Sequence, residues 1–122
     1  MREVRRVGHE QRVTQLRELL SALRDLVAGL EGEQRYLEAV PEYEAYHGRV
    51  AALLASGFDQ ATLDELAVAV PQLFWLHKEW LPPSEEEAPG VYREPAWFQR
   101  LNPLESRVQQ VAFALRVVGE YD

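Results

Sequence analysis

Glu44 and His47 are the residues whose types and spacing come closest to chemistry. Glu-x-x-His places both side chains on one helix face, and it is the ligand spacing used by carboxylate-bridged di-iron helical bundles. A di-iron centre needs that pair twice, plus two further glutamates. Here the pair occurs once. Three residues before His77 stands Phe74, not an acid. If the helices carrying the two histidines fold back around Gly57 and Phe58, His47 faces Val70 and His77 faces Val40. The histidines then differ by about seven residues in level, roughly 10 Å at the helical rise, and share no metal. Tyr43, Glu44, His47 and His77 are therefore read as a polar group in the core, hydrogen-bonded among neighbours, with no metal and no cofactor expected.

Other chemistry has less support. The chain has no cysteine, so thiol nucleophiles, disulfides and Cys-ligated metals are excluded. It has no glycine-rich phosphate loop, no G-x-S-x-G and no H-E-x-x-H. Glu38, Glu42 and Glu44, or Asp64 and Glu65, could serve a Mg²⁺ enzyme, but neither group repeats in the paired E-x-x-E and E-x-x-D pattern such enzymes use. A metal-binding or Mg-dependent bundle enzyme built on Glu44, His47 and nearby acids stands as the alternative to a non-enzymatic protein.

The elements that must position these residues are helices. Val13, Leu16, Leu20, Leu23, Val27 and Leu30 step by threes and fours, a heptad seam over residues 9–31. Gly29 and Gly32 bracket its expected end. Tyr36, Val40, Tyr43, His47, Val50 and Leu54 give a second seam over 33–56, with a kink expected at Pro41. Leu63, Leu66, Val70, Leu73, His77 and Trp80 give a third over 60–81, with Pro71 inside and Asp59 or Thr62 as caps. Leu104, Val108, Val111, Leu115 and Val118 give a fourth, with Asn102 as N-cap, Pro103 at the first helical position and Glu105 at N3. Residues 94–101 are expected as a short turn of helix before it. Residues 82–95 hold four prolines, a glycine and Glu85–Glu87, and read as a long loop without strands. The pattern predicts an all-α four-helix bundle, mostly up-and-down antiparallel, as one domain over 1–122.

The 122 residues carry a net charge of −7, unevenly spread. Six arginines against three glutamates make residues 1–24 basic (+3), with residues 1–8 as a basic arm, and the remainder carries −10. An acidic body disfavours nucleic acid as a partner. No apolar run approaches a membrane span and no signal segment opens the chain, so a cytoplasmic, soluble protein is expected.

The residues that do not fit the core are the better clue. On a helix through "PQLFWLHKEW", Trp75 falls about 140° from Val70, on the outer face, with Val68 beside it. Phe113 and Val117 fall on the outer face of the last helix. If those helices are antiparallel, Val68, Trp75, Phe113 and Val117 lie within about two turns of one another. A contiguous outward apolar patch rich in aromatics signals a partner, most simply a second copy in a two-fold homodimer. The alternative is that Trp97 and Phe98 fold over the patch. The reading is a small non-enzymatic, self-associating interaction protein with an accessory or regulatory role.

Overall fold

The structure, a computed structural model, describes residues 8–116. Four helices account for most of them: α1 (His9–Glu33), α2 (Val40–Ser56), α3 (Gln60–Val68) and α4 (Ala96–Phe113). A two-stranded antiparallel hairpin, β1 (Glu85–Ala88) with β2 (Val91–Arg93), lies between α3 and α4. Val117 and residues 1–7 of the basic arm lie outside the described residues. No helix among the described residues is long and apolar enough to cross a membrane.

The heptad reading holds best in α1. Leu16, Leu23 and Leu30 are buried, and Leu19 and Leu26 join them completely. The buried face is wider than one seam because α1 packs against both α2 and α4. Its partner pairs on α4 are Arg107 with Asp25, Arg100 with Glu33, and Leu104 with Gly29. As one number rises the other falls, so α1 and α4 are antiparallel. Gly29 is not the helix stop the sequence suggests. It sits inside α1, where a Cβ would lie 2.7 Å from Leu104 Cδ1 and 3.3 Å from Leu101 Cδ2, so glycine there lets α4 approach. The helix ends instead at Gln34, in the left-handed conformation, with its amide N–H on the Glu31 and Leu30 carbonyls.

Three prolines act differently from their predicted roles. Pro41 does not kink a helix begun at residue 33. It stands in the first turn of α2, where its missing N–H costs nothing, and a 3-10 turn, Leu37–Ala39, leads in. Pro71 does not sit inside a helix reaching residue 81. Proline disfavours helical backbone at the residue before it, and α3 stops at Val68, nine residues long. Pro103 does not open α4. The helix begins seven residues earlier and runs through it, because Phe98, Leu101, Val108, Val111 and Ala112 form a buried stripe on both sides of the proline. Packing of that stripe offsets the one lost backbone hydrogen bond. Asn102 is consequently mid-helix and caps nothing.

The expected loop over 82–95 contains the hairpin. Three consecutive glutamates give no alternation, so nothing in β1 signals a strand. Its register comes from the turn, where Pro89 precedes Gly90 at φ 77, and from Glu85 opposite Arg93. Arg12 ties the far end together. Its guanidinium donates to Ala114 O at 2.7 Å, to Gln15 Oε1 at 2.9 Å and to Gln60 Oε1 at 3.0 Å. Gln60 in turn donates to Leu115 O and Asp64. Desolvation lowers the Arg12 pKa, and Asp64 opposes that shift.

Gly29→Val should lower stability by about 2 kcal/mol in urea unfolding, because the added methyl groups must displace Leu104 and Leu101. Gly32→Val, where a Cβ would meet nothing within 4 Å, should leave stability unchanged or raise it slightly, because valine is the better helix former.

Candidate functional site: a clamped loop that presents Trp75

Beyond Val68 the chain leaves helical geometry and lies along α4 as an irregular segment. Its backbone polar groups need partners, and α4 supplies them from Glu105 and Gln109, while Asn102 on the same face, three residues before Glu105, takes the Trp75 side chain. Gln109 Nε2 donates to Pro71 O at 2.7 Å. Glu105 Oε2 accepts from Leu73 N at 2.8 Å and from Phe74 N at 3.4 Å. Trp75 Nε1 donates to Asn102 Oδ1 at 3.3 Å. From within the segment, Gln72 Nε2 donates to Phe74 O at 2.6 Å and Trp75 O at 2.9 Å. From α2, Tyr43 OH donates to Pro71 O at 3.2 Å, and Tyr46 OH donates to Leu66 O in α3.

Glu105 is the electrostatic centre of this clamp. Its side chain is buried, and burial raises its pKa from the ordinary 4.5, while the two N–H donors pull it part of the way back. The raised pKa means that the folded protein holds this proton more tightly than the unfolded chain. Burial also pushes the Tyr43 and Tyr46 hydroxyls up, Tyr43 with a further contribution from Glu105. Both stay protonated and donating at neutral pH.

Phe74 is the apolar anchor. It is fully buried and meets Phe98 at 4.9 Å, Tyr36 at 5.6 Å and Trp80 at 5.9 Å between ring centroids. Trp97 meets Tyr36 and Phe98, and carries the Arg35 guanidinium 4.1 Å above its ring. Trp75 itself is 47% exposed and packs edge-on against Trp80 at 4.6 Å. Its backbone is left-handed, φ 59, as is that of Tyr36, φ 56. Such conformations are outliers for bulky residues and cost of order 1–3 kcal/mol each. Both strained aromatics therefore belong to one cluster, at the end of the molecule where α1 passes into α2.

Of the residues the sequence singled out as an outer face, Val68, Trp75 and Phe113 are all exposed, but they are not one patch. Trp75 is beside Asn102, eleven residues from Phe113 along α4, or roughly 16 Å of axial rise. The slip arises because α3 is short and α4 starts early, so levels on the two segments sum to about 177 (Trp75 with Asn102) rather than the 184 a full antiparallel helix pair implies. Trp97 and Phe98 do not cover Trp75, since Phe98 is core and Trp97 turns to Tyr36 and Arg35.

The polar core group is also dispersed. Tyr43 is buried, as expected. His77, expected in the core, is exposed, because it follows Pro71 and never joins a helix. Glu44 is exposed on α2, and with His47 it lines a groove of about 350 Å³ against Leu23, Arg24, Val27, Ala28 and Glu31 of α1. Among the described residues, no three His, Asp or Glu side chains gather as a metal site. Sequence reasoning missed the clamp. Its signal was the polar 102–105–109 spacing beside an apolar seam, of which Asn102 and Glu105 were read as a helix start.

Comparison of the chain with protein-family models, with curated proteins and with solved structures finds no match.

Glu105→Ala strands two amide donors, one of them buried, and should cost about 2–4 kcal/mol. Glu105→Gln keeps an acceptor and removes the buried charge. Relative to this variant, the wild type should lose stability as pH rises from about 4.5 toward neutrality, since the folded state binds the Glu105 proton more tightly. Thermal melts of both proteins across that range check the sign.

Proposed function

We propose that this chain is a non-enzymatic interaction protein that self-associates through the surface around Trp75. The observation that carries the proposal is a strained, half-exposed tryptophan held by a dedicated clamp. Strained backbone persists where the surrounding structure over-determines it, and it clusters at functional sites. A tryptophan fixed before binding loses little entropy on association, and tryptophan is enriched at interface centres.

The neighbourhood supports the same reading. Six of the eight large apolar side chains exposed among the described residues lie between residues 68 and 92: Val68, Trp75, Leu76, Leu81, Val91 and Tyr92. The hairpin is tethered to the aromatic cluster at both ends, through Trp80 before it and Trp97 after it. All seven of its strand residues are exposed. A lone two-stranded hairpin is marginal in water, and its outer edges are open for pairing.

A second copy is the occupant that fits. The β1 edge, Glu85-Glu86-Glu87, repels its own duplicate. The β2 edge does not. Antiparallel pairing of two β2 strands about Tyr92 sets Val91 of each opposite Arg93 of the other, with no like charges facing. Two-fold pairing there would join the hairpins into four strands and bring the Leu81, Tyr92 and Trp75 surfaces of two molecules together. In this reading the four helices form an up-and-down bundle that serves as scaffold, and the protein acts in the cytoplasm as a homodimer with an accessory or regulatory role.

Sedimentation velocity across the micromolar range should show a reversible dimer. Trp75→Gly combined with Tyr92→Glu should shift it to monomer with unchanged helical circular dichroism. Trp75→Gly alone should change stability by less than about 1 kcal/mol, because relief of the left-handed backbone offsets the lost ring contact. A wild-type protein that stays monomeric throughout that range overturns the proposal.

A further inference from the structure

The segment that carries Trp75 is held by side chains rather than by a backbone ladder. Between Val70 and Trp80 the backbone bonds to itself once, from Trp80 N–H to His77 O at 3.0 Å. The amides of Leu73 and Phe74 both end on a single atom, Glu105 Oε2. Segments without a ladder of their own open locally, at a lower free energy than the helices around them. Release of two bonds at one atom frees Leu73 to Trp75 as a unit, and it relieves the left-handed backbone of Trp75, φ 59.

Glu105 is 1% exposed and carries its charge alone. From the segment it meets the two amides, and His77, Lys78 and Glu79 further along are exposed. From α2 it meets Tyr43, whose hydroxyl donates to Pro71 O and stays protonated, with the exposed Glu42 behind it. From α1, Gly29 packs on Leu101 and Leu104, while Asp25 and Glu33 are taken by Arg107 and Arg100 of α4. Asp64 of α3 stands with Gln60 at the Leu115 end, and Glu65 is exposed. Among the described residues, no cation pairs with Glu105 and no group donates to its second oxygen, Oε1. A proton on Oε1 leaves Oε2 as a carbonyl oxygen that still accepts both amides. Protonation therefore keeps the geometry of the clamp and removes the cost of a buried charge.

We propose that this segment is a proton-controlled latch on the association surface: with a proton on Glu105, residues 72–76 stay against α4, and loss of that proton lets them lift. A charged carboxylate binds amides more strongly than the neutral acid does. Burial outweighs that gain, since desolvation is the larger influence and the pKa is raised. When the segment lifts, water reaches the carboxylate and its pKa returns toward the ordinary 4.5. The closed form thus binds the proton more tightly. Closure is favoured below the ordinary value and weakens as pH rises through the raised one. Lifting also uncovers Phe74, so the open form is a minor state, of the kind that hydrogen exchange detects. The consequence for association rests on the dimer proposed above: a monomer whose latch is open must order Trp75 on binding, and its apparent affinity falls with the closed fraction.

Hydrogen exchange of the Leu73 and Phe74 amides, corrected for intrinsic rates, reads the latch directly. Between about pH 4.5 and pH 7.5, protection in the wild type should fall about fivefold or more, the low end of ordinary coupling between sites. In Glu105→Gln it should not change, and in Tyr43→Phe the fall should persist. Dilute urea should leave these two amides unaffected while speeding exchange at Leu23 and Leu26, which open only with the whole fold. In the wild type, the Glu105 carboxyl carbon should titrate above the ordinary 4.5, and protection should level off beyond that midpoint, a readout that needs no variant. Sedimentation should show the wild-type dimer weakening with rising pH relative to Glu105→Gln, a comparison that cancels the change in net charge. The latch is overturned if protection in the wild type and in Glu105→Gln changes alike with pH. It is equally overturned if Leu73 and Phe74 exchange only together with Leu23 and Leu26, or if the carboxyl carbon titrates at or below the ordinary value. A chain that stays monomeric yet shows the pH-dependent protection overturns the dimer and supports the latch, and a dimer without that dependence does the reverse.

Discussion

One buried carboxylate holds the segment that carries Phe74 and Trp75. Glu105 accepts two successive amide protons, those of Leu73 and Phe74, at the point where the chain has left helix α3 and has no backbone partner of its own. A charged acceptor is roughly twice as strong as a neutral one, and here it works from within the core. Everything around Trp75 depends on it. With Leu73 and Phe74 fixed, the Phe74 ring enters the core, Trp75 is forced outward with a left-handed backbone, and Trp80 turns back to pack on both. The cost is the desolvation of a carboxylate. The protein offsets it with two N–H donors rather than a cation, so the pKa of Glu105 stays above its ordinary value. A salt bridge there would have lowered it.

Periodicity was a reliable guide wherever a helix buries one continuous face. Leu16, Leu23 and Leu30 in α1, Tyr43 and Val50 in α2, and Val108 and Val111 in α4 with Leu115 just beyond it are all buried, and all were legible from spacing alone. It failed at prolines. The apolar spacing of Leu66, Leu73 and Trp80 continues through Pro71 by coincidence, since an irregular segment lying on a helix also alternates between inward and outward residues. Conversely, Asn102-Pro103 looks like a helix start because local chemistry favours it, yet the burial of Phe98 and Leu101 extends the helix to Ala96, seven residues before the proline. Tertiary packing overrode local preference in one case, and backbone chemistry overrode pattern in the other. A single sequence does not reveal which will dominate.

The same ambiguity governs the site. That Trp75 points outward was legible, because no placement of "LFWL" puts all four side chains in one core. What holds it was not legible, because Glu105, Asn102 and Gln109 are separated from the segment they clamp by about thirty residues, and polar residues at helical spacing ordinarily read as a solvated face. The hairpin was hidden for a related reason. Strand β1 carries like charges rather than alternation, so its signal lies in Pro89-Gly90 and in the Glu85–Arg93 pairing, neither of which is a strand signal alone. His77 was misplaced by the proline error, whereas His47 kept its helix and its place beside Glu44.

Strain and exposure are usually opposed by selection for stability, which makes their coincidence at Trp75 informative. A glycine at this position would adopt the same backbone without penalty, and a serine or glutamate would solvate better. A tryptophan there gains an edge contact with Trp80 and one hydrogen bond to Asn102, together of about the same size as the backbone cost. The intramolecular account therefore closes near zero and gives no reason to prefer this residue. The remaining half of the indole faces solvent, and it is the part that a second copy would cover in the dimer proposed above. The clamp supplies what such a contact needs most, a large apolar group whose position is fixed before the partner arrives, so that the burial of the second half is not offset by the entropy of ordering the first.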